Sequence, residues 1–479
     1  MSKFNENSTV KTVNKDGHPA YAMTDRSRLV TQVLTSFFNE KKFYGDNSAE
    51  LAETLKKVIN DDPEFVSKLA VFARREFNMR SVSHVLTAYL AHEPNGKKYV
   101  RSTVRGVSLR GDDLTEIMSF YLNTFGKPVP NSLKKGMNDV IVKFDEYTLA
   151  KYKGRNKELK MRDILCLCRP TPKNEEQSAM WKRCIEGDLK TPVTWETELS
   201  ANGNNKETWE KLIDSGKVGY MALLRNLRNI ISAAPDNIEK VYEIIEDPER
   251  VAASKQLPFR FLSAYRSVME IADSRAFDAL EAAAESSCKN IPVIPGNTVI
   301  AVDVSGSMTS TLSSGSSVRC CDIGLLLGLI AGKICKKSRF YMFNNRIEKY
   351  PFTHNSGLLS TAVNNSKATG GTDMGLPFEV MINEKIKADR IIIFSDNMCN
   401  MGISYYNNKT VQSLADEYRR KSGRDIWVHA VDLMGYGTQQ FAGAKTNIIA
   451  GWSEKVLDFI MLAEKGTDDL ESRISDYLW

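Results

Sequence analysis

The chain has 479 residues, 42% hydrophobic and 26% charged, which is enough apolar material for a sizeable core and excludes global disorder. Its 65 basic and 59 acidic side chains leave a net charge of +6. No apolar run reaches the roughly 18 residues of a membrane helix, and the opening Met1-Ser-Lys-Phe-Asn-Glu-Asn is polar, so a cytoplasmic protein without membrane attachment is expected.

Residues 1–290 read as helix after helix. Leu51, Leu55 and Val58 mark one over Ser48 to Ile59. Asp62-Pro63 opens the next, with Asp as N-cap and Pro at the first helical position. Phe65, Leu69, Phe72, Ala73 and Phe77 then recur at three- and four-residue spacing. His84, flanked by Val82 and Val85 in a helical pattern, reads as a satisfied core histidine. Asp113 to Phe125, Asn131 to Lys143, Lys217 to Ile231 and Asn237 to Ile245 follow the same pattern. Many short helices with brief polar connections predict stacked helical pairs, an α-solenoid. Its basic charge is concentrated: residues 151–183 hold ten basic and four acidic side chains. Such a stretch is the usual footprint of a polyanion partner.

The texture changes near residue 290, after which Ile291 to Gly296 reads as a linker. Thr298–Val302, Phe340–Phe343, Arg390–Phe394 and Ile426–Val431 are short apolar runs, and Asp322–Lys337 and Thr410–Lys421 between them are helical. Strand–helix alternation of this kind predicts a parallel sheet with helices on both faces. The expected organisation is a helical repeat domain over 1–290 and an α/β domain over 296–479. Eight cysteines in so long a chain make no disulfide scaffold, and with no CxxC pair or nearby histidine they predict reduced, buried thiols rather than a zinc site.

Ligands of parallel sheets bind beyond the carboxyl ends of strands. Asp303-Val-Ser305-Gly-Ser307 follows the first strand of the α/β half, and Phe394-Ser-Asp396 follows a later one. Thr369-Gly-Gly-Thr372-Asp373 lies in a glycine-rich loop. Hydroxyls and carboxylates are oxygen donors, suited to a hard divalent cation such as Mg²⁺, Ca²⁺ or Mn²⁺. A two-metal nuclease would want a tighter carboxylate cluster, no His or Lys stands nearby in sequence as a base, and a P-loop is absent. Binding is favoured over chemistry.

Asp-x-Ser-x-Ser, then Thr, then Asp at strand ends resembles the metal-ion-dependent adhesion site (MIDAS) of von Willebrand factor A domains, over about 180 residues. The resemblance implies Ser305, Ser307 and Thr372 as direct ligands, Asp303 and Asp396 as ligands directly or through water, and Mg²⁺ as the first choice of ion.

Further stretches resemble the TROVE-domain family, typified by the Ro autoantigen and its bacterial orthologues. They are Asn14-Lys-Asp-Gly17-His-Pro-Ala-Tyr21, Leu69-Ala-Val-Phe-Ala-Arg74-Arg75 with Arg80-Ser81, Ala150-Lys151-Tyr-Lys153-Gly-Arg155-Asn156, Met161-Arg162-Asp163-Ile-Leu165 and Ala222-Leu-Leu-Arg225-Asn226-Leu227. The family's layout is a helical domain followed by a von Willebrand A domain. It implies a ring of HEAT-like repeats, a non-enzymatic protein that binds a small structured noncoding RNA (Y RNA) on its basic outer surface, and capture of the single-stranded 3′ ends of misfolded RNA. It also implies an exoribonuclease partner such as polynucleotide phosphorylase. Lys151 and Arg155 match family RNA-contact positions, and Lys153, Arg162 and Arg169 complete the expected RNA-binding set. Arg169 stands where animal members carry a His, a departure that keeps a cation and loses an aromatic ring. The rival reading is a metal-dependent protein-interaction adaptor that binds no RNA.

Overall fold

The computed structural model describes residues 10–14, 17–34, 48–152, 159–190, 192–256, 258–289, 291–311, 318–400, 410–451, 455–464 and 470–478. Its chain forms two compact units, each assembled from segments distant in sequence.

One unit comprises Asp25–Val193 and Glu471–Trp479 and is helical. The helix Pro63–Glu76 shows why the sequence pattern holds. Asp62 caps it by accepting from the Phe65 N–H at 3.0 Å, and Phe65, Leu69, Phe72 and Ala73 are buried. The predicted helices appear as Ser48–Asp61, Pro63–Glu76, Gly111–Phe125 and Asn131–Ile141. The C-terminal segment packs here too. The Tyr477 ring meets Phe72 edge-on at 5.3 Å, its hydroxyl bonds Glu76 at 3.1 Å, and the Ser27 hydroxyl bonds Glu471 at 2.6 Å.

A buried ionic cluster ties this unit together. Asp113 is fully buried and accepts from Arg80 Nε at 2.5 Å, Arg74 at 3.3 Å, His84 Nε2 at 3.1 Å and the Leu109 and Arg110 N–H groups. Burial works to raise its pKa, but the His84 hydrogen bond and then the Arg80 and Arg74 charges hold it well below the carboxylate range. Burial dominates at His84 and lowers its pKa, so the ring is neutral and donates, as the core reading expects.

The other unit comprises Met1–Thr24 and Thr194–Leu470. Its sheet has strands β3 (Ile294–Asp303), β4 (Cys335–Phe343), β5 (Ile347–Lys349), β6 (Arg390–Ser395), β7 (Trp427–Asp432) and β9 (Thr446–Ala450) in the order β5-β4-β3-β6-β7-β9, parallel except for β5. Two of the apolar runs that predicted strands, Thr298–Val302 and Arg390–Phe394, are its fully buried centre. The helix expected over 322–337 is Cys320–Ile334, because Cys335 already pairs with Ile294 in the ladder. For the same reason the linker expected to reach Gly296 ends where β3 begins.

A second, three-stranded sheet joins β1 (Lys11–Val13) and β2 (Pro19–Ala22) to β8 (Thr438–Gln439). Asn14 anchors this hairpin by donating from Nδ2 to the Cys399 carbonyl at 2.7 Å. Helices of the unit's 194–288 stretch pack on the sheet's helices: Arg266 pairs with the buried Asp322 at 2.7 Å, and the Glu281 carboxylate caps the N–H groups of Leu358, Leu359 and Ser360. Of eight free cysteines seven are buried and only Cys166 is exposed.

Candidate metal centre and basic surface

The order β4-β3-β6 places a topological switch between β3 and β6: the chain leaves β3 for one neighbour and returns on the other side. Such a crevice is the ligand site of open α/β sheets. Asp303 ends β3 and Asp396 directly follows β6, so the fold brings the two predicted carboxylates to this crevice. Both are fully buried.

The loops fix the hydroxyls beside them. Asp303 accepts from the Ser305 N–H at 2.8 Å, and the Ser395 hydroxyl donates to its other oxygen at 2.6 Å. The Ser305 and Ser307 hydroxyls lie 3.1 Å apart, Ser305 buried and Ser307 exposed. The glycine-rich loop is laced against them: Thr369 N–H donates to Val304 O at 2.8 Å and Gly306 N–H to Gly370 O at 2.9 Å. A Cβ on Gly306 would stand 3.1 Å from that carbonyl, so the close approach favours glycine. Thr372, held through its N–H by Asn400 at 2.8 Å, is buried, and its Oγ1 has no hydrogen-bond partner among the described residues.

Burial, and then the Asp396 charge, push the Asp303 carboxyl well above the ordinary range. The sequence reading missed two members. Ser395 holds Asp303, and Asp432, fully buried at the end of β7 opposite Ser395, is pushed up to about 6 by burial, against its bonds to the Gly435 and Met434 N–H groups. The signal for Asp432 was the one used elsewhere: an apolar run ending in Asp. Among the described residues no three His, Cys, Asp or Glu side chains cluster closely enough to hold a metal by themselves. The donor set here therefore depends on hydroxyls.

The basic stretch is only partly in view, since Lys153 and Arg155 lie outside the described residues. Lys151 is exposed at the end of the helix Glu146–Lys151, its Nζ 5.6 Å from the Tyr147 ring centre and 5.7 Å from that of Tyr152. Tyr152 packs as expected of a structural ring: its side chain lies against Gly111, and the Arg110 guanidinium sits 5.2 Å over it. The more available aromatic is Tyr147, half exposed and four residues before Lys151, which the sequence reading passed over. Arg162 is half exposed and 3.7 Å from Asp163. Arg169 is exposed and left-handed, φ +49°, at the end of the helix Met161–Cys168. Arg74 is buried and Arg75 exposed, and their Nε groups donate to the carbonyls of Val107 and Gly106, both at 3.1 Å.

Comparison with known proteins supplies the context. The TROVE domain signature matches residues 25–187 and 186–291, and the Ro60 vWA domain signature matches 297–442. The chain is 25% identical over 349 positions to telomerase protein component 1 of Rattus norvegicus (55% of this chain, 13% of that protein). It is 29% identical over 209 positions to RNA-binding protein RO60 of Caenorhabditis elegans (40% and 32%). It thus spans about an eighth of the rat relative and a third of the worm one. The crystal structure of the Deinococcus radiodurans RO (RSR) protein superposes with TM-score 0.65 at 17% identity, over 93% of this chain and all of that one, so the two share a fold.

Proposed function

The chain belongs to the TROVE-domain family, and from that premise we propose that it is a non-catalytic, cytoplasmic RNA-binding protein. It would bind a small structured RNA of the Y type and single-stranded 3′ ends of misfolded RNA, and present them to an exoribonuclease such as polynucleotide phosphorylase. The observation that carries the reading is the cationic surface around Lys151, within a chain whose relative is named an RNA-binding protein. Lys151, Lys153, Arg155, Arg162 and Arg169 would neutralise backbone phosphates, and Tyr147 offers a ring on which a base can stack. A ring of helical repeats through which a single strand threads belongs to the same proposal.

The double change Lys151→Ala/Arg155→Ala tests it. Removing two phosphate contacts is expected to weaken RNA binding and to flatten the dependence of log K on log salt by roughly 1.4–1.8. An unaltered affinity and slope would remove these residues from the interface.

The strand-end site fits a divalent cation: its donors are all oxygens, Thr372 Oγ1 is buried with no hydrogen-bond partner among the described residues, and Asp303 and Asp396 are two fully buried carboxylates. Ser305, Ser307, Thr372, Asp303 and Asp396 would hold it. Mg²⁺ bound there supplies a Lewis-acidic position that a partner's carboxylate can complete. Because a cation must displace the proton that burial favours on Asp303, Mg²⁺ stabilisation should grow as pH rises from about 5 to about 8. Thermal unfolding with and without Mg²⁺ across that range checks this; equal shifts at both ends would contradict it.

A further inference from the structure

The opposite end of the same sheet carries a second cavity, of about 450 Å³. We propose that it binds a nucleoside phosphate, either a free mononucleotide or the terminal nucleotide of an RNA strand. The inference rests on the local geometry and charge alone, and is independent of RNA binding around Lys151.

The strand period builds the pocket. In β4, Lys337, Arg339, Tyr341 and Phe343 share one face. Tyr341 and Phe343 are buried in the core with Phe378 and Met381 of the helix Leu376–Asn383. Lys337 and Arg339 continue the same stripe past the end of that helix and are exposed. In register beside them on β3 are Asn297 and Val299. The turn after the helix closes the far side with Lys385 and Lys387, both exposed. Lys385 holds a left-handed conformation, φ +51°, a position that usually favours Gly or Asn.

Four cations therefore face one cavity, against a single lining carboxylate. That carboxylate, Glu384, is engaged by the Tyr341 hydroxyl at 3.3 Å. The nearby Asp389 is compensated by Arg424 at 2.8 Å and by the Asn297 N–H at 2.7 Å. Among the described residues no ion pair is formed by Lys337, Arg339, Lys385 or Lys387, whereas arginines elsewhere in the unit, such as Arg266, Arg275 and Arg390, are paired. The C-terminal end of one helix carries only about half a negative charge, which does not account for four cations.

Volume and floor narrow the ligand. The cavity lies in the range of small-molecule sites, roughly 300–1,000 Å³, larger than a bare phosphate fills. Val299, Ile386 and Ala388 give it an apolar floor, suited to the face of a base, and the cations at its rim suit the phosphate oxygens.

The test is calorimetric titration of the full chain with adenosine monophosphate, adenosine, a 5′-phosphorylated oligoribonucleotide and an acidic peptide. Adenosine monophosphate should bind in a salt-sensitive way, and Lys385→Glu/Lys387→Glu should weaken it about tenfold or more. Lys336→Glu, on the other face of β4, should leave it unchanged. Tighter binding of the oligonucleotide than of the mononucleotide, lost in the same variant, would identify an RNA end as the source; the reverse order would identify a free nucleotide. Equal binding of adenosine and its phosphate, no loss in the double variant, or capture of the acidic peptide alone would overturn the proposal.

Discussion

Replacing Asp113 by asparagine is expected to destabilise the helical unit by about 3–5 kcal/mol. The carboxylate is fully buried and is the shared acceptor of Arg74, Arg80 and His84. Asparagine keeps the volume and can still accept, but it leaves two guanidinium groups with their main countercharge gone. Arg74 is itself buried and cannot turn to water. The neighbouring Asp112 also pairs with Arg80 at 2.8 Å, but its other partner, Arg110, is half exposed, so Asp112→Asn should cost less, about 1–3 kcal/mol. Hydrogen exchange of the segment Gly111–Phe125 in urea separates the two, and equal losses would show that the cluster is not the organising contact. The pH sign follows from the depressed folded pKa. The contribution of Asp113 is complete above the unfolded carboxylate value, and it is lost as pH falls below about 4 toward the folded value.

Asp303→Asn is the second large effect, and it acts in two directions. Metal affinity should fall by about a hundredfold or more, since a charged donor is replaced by a neutral one and the Ser305 and Ser395 bonds that set the loop are disturbed. Without metal the variant should be no less stable than the wild type near pH 8. The folded pKa of Asp303 is raised, so the metal-free protein loses stability as pH climbs from the unfolded carboxylate value through the folded one, and asparagine removes that loss. Isothermal titration with Mg²⁺, paired with thermal unfolding in chelator, reads both. Undiminished Mg²⁺ affinity would dismiss Asp303 as a ligand.

Much of this architecture was legible because burial writes itself into periodicity. The core strands β3, β6 and β7 carry short, mainly apolar runs, and Asp303 and Asp396 stood out as acids closing two of them. What stayed hidden depends on contacts far apart in sequence. The hairpin β1–β2 is short and largely exposed, and it becomes a sheet only by meeting Thr438 and Gln439. Nothing adjacent to Arg74 or Arg80 in the sequence shows that both are paired; the acid that holds them, Asp113, lies more than thirty residues away. The helix before β4 was drawn too long because Lys336 and Lys337 fit a helix's solvent face as well as a strand's exposed end. The cationic cavity was invisible for a related reason, since Lys337 and Lys385 are brought together only by the sheet.

RNA binding with recognition of a free 3′ end, as proposed above, can be tested in one comparison. The most direct measurement is a gel shift in Mg²⁺, at two salt concentrations, of one duplex with a single-stranded 3′ tail and of the same duplex with blunt ends. Tighter, salt-sensitive binding of the tailed RNA is expected, with both RNAs recovered intact. Failure to bind either RNA would contradict the proposal and leave a metal-dependent protein adaptor as the reading to pursue; cleavage of the tail would contradict its non-catalytic part.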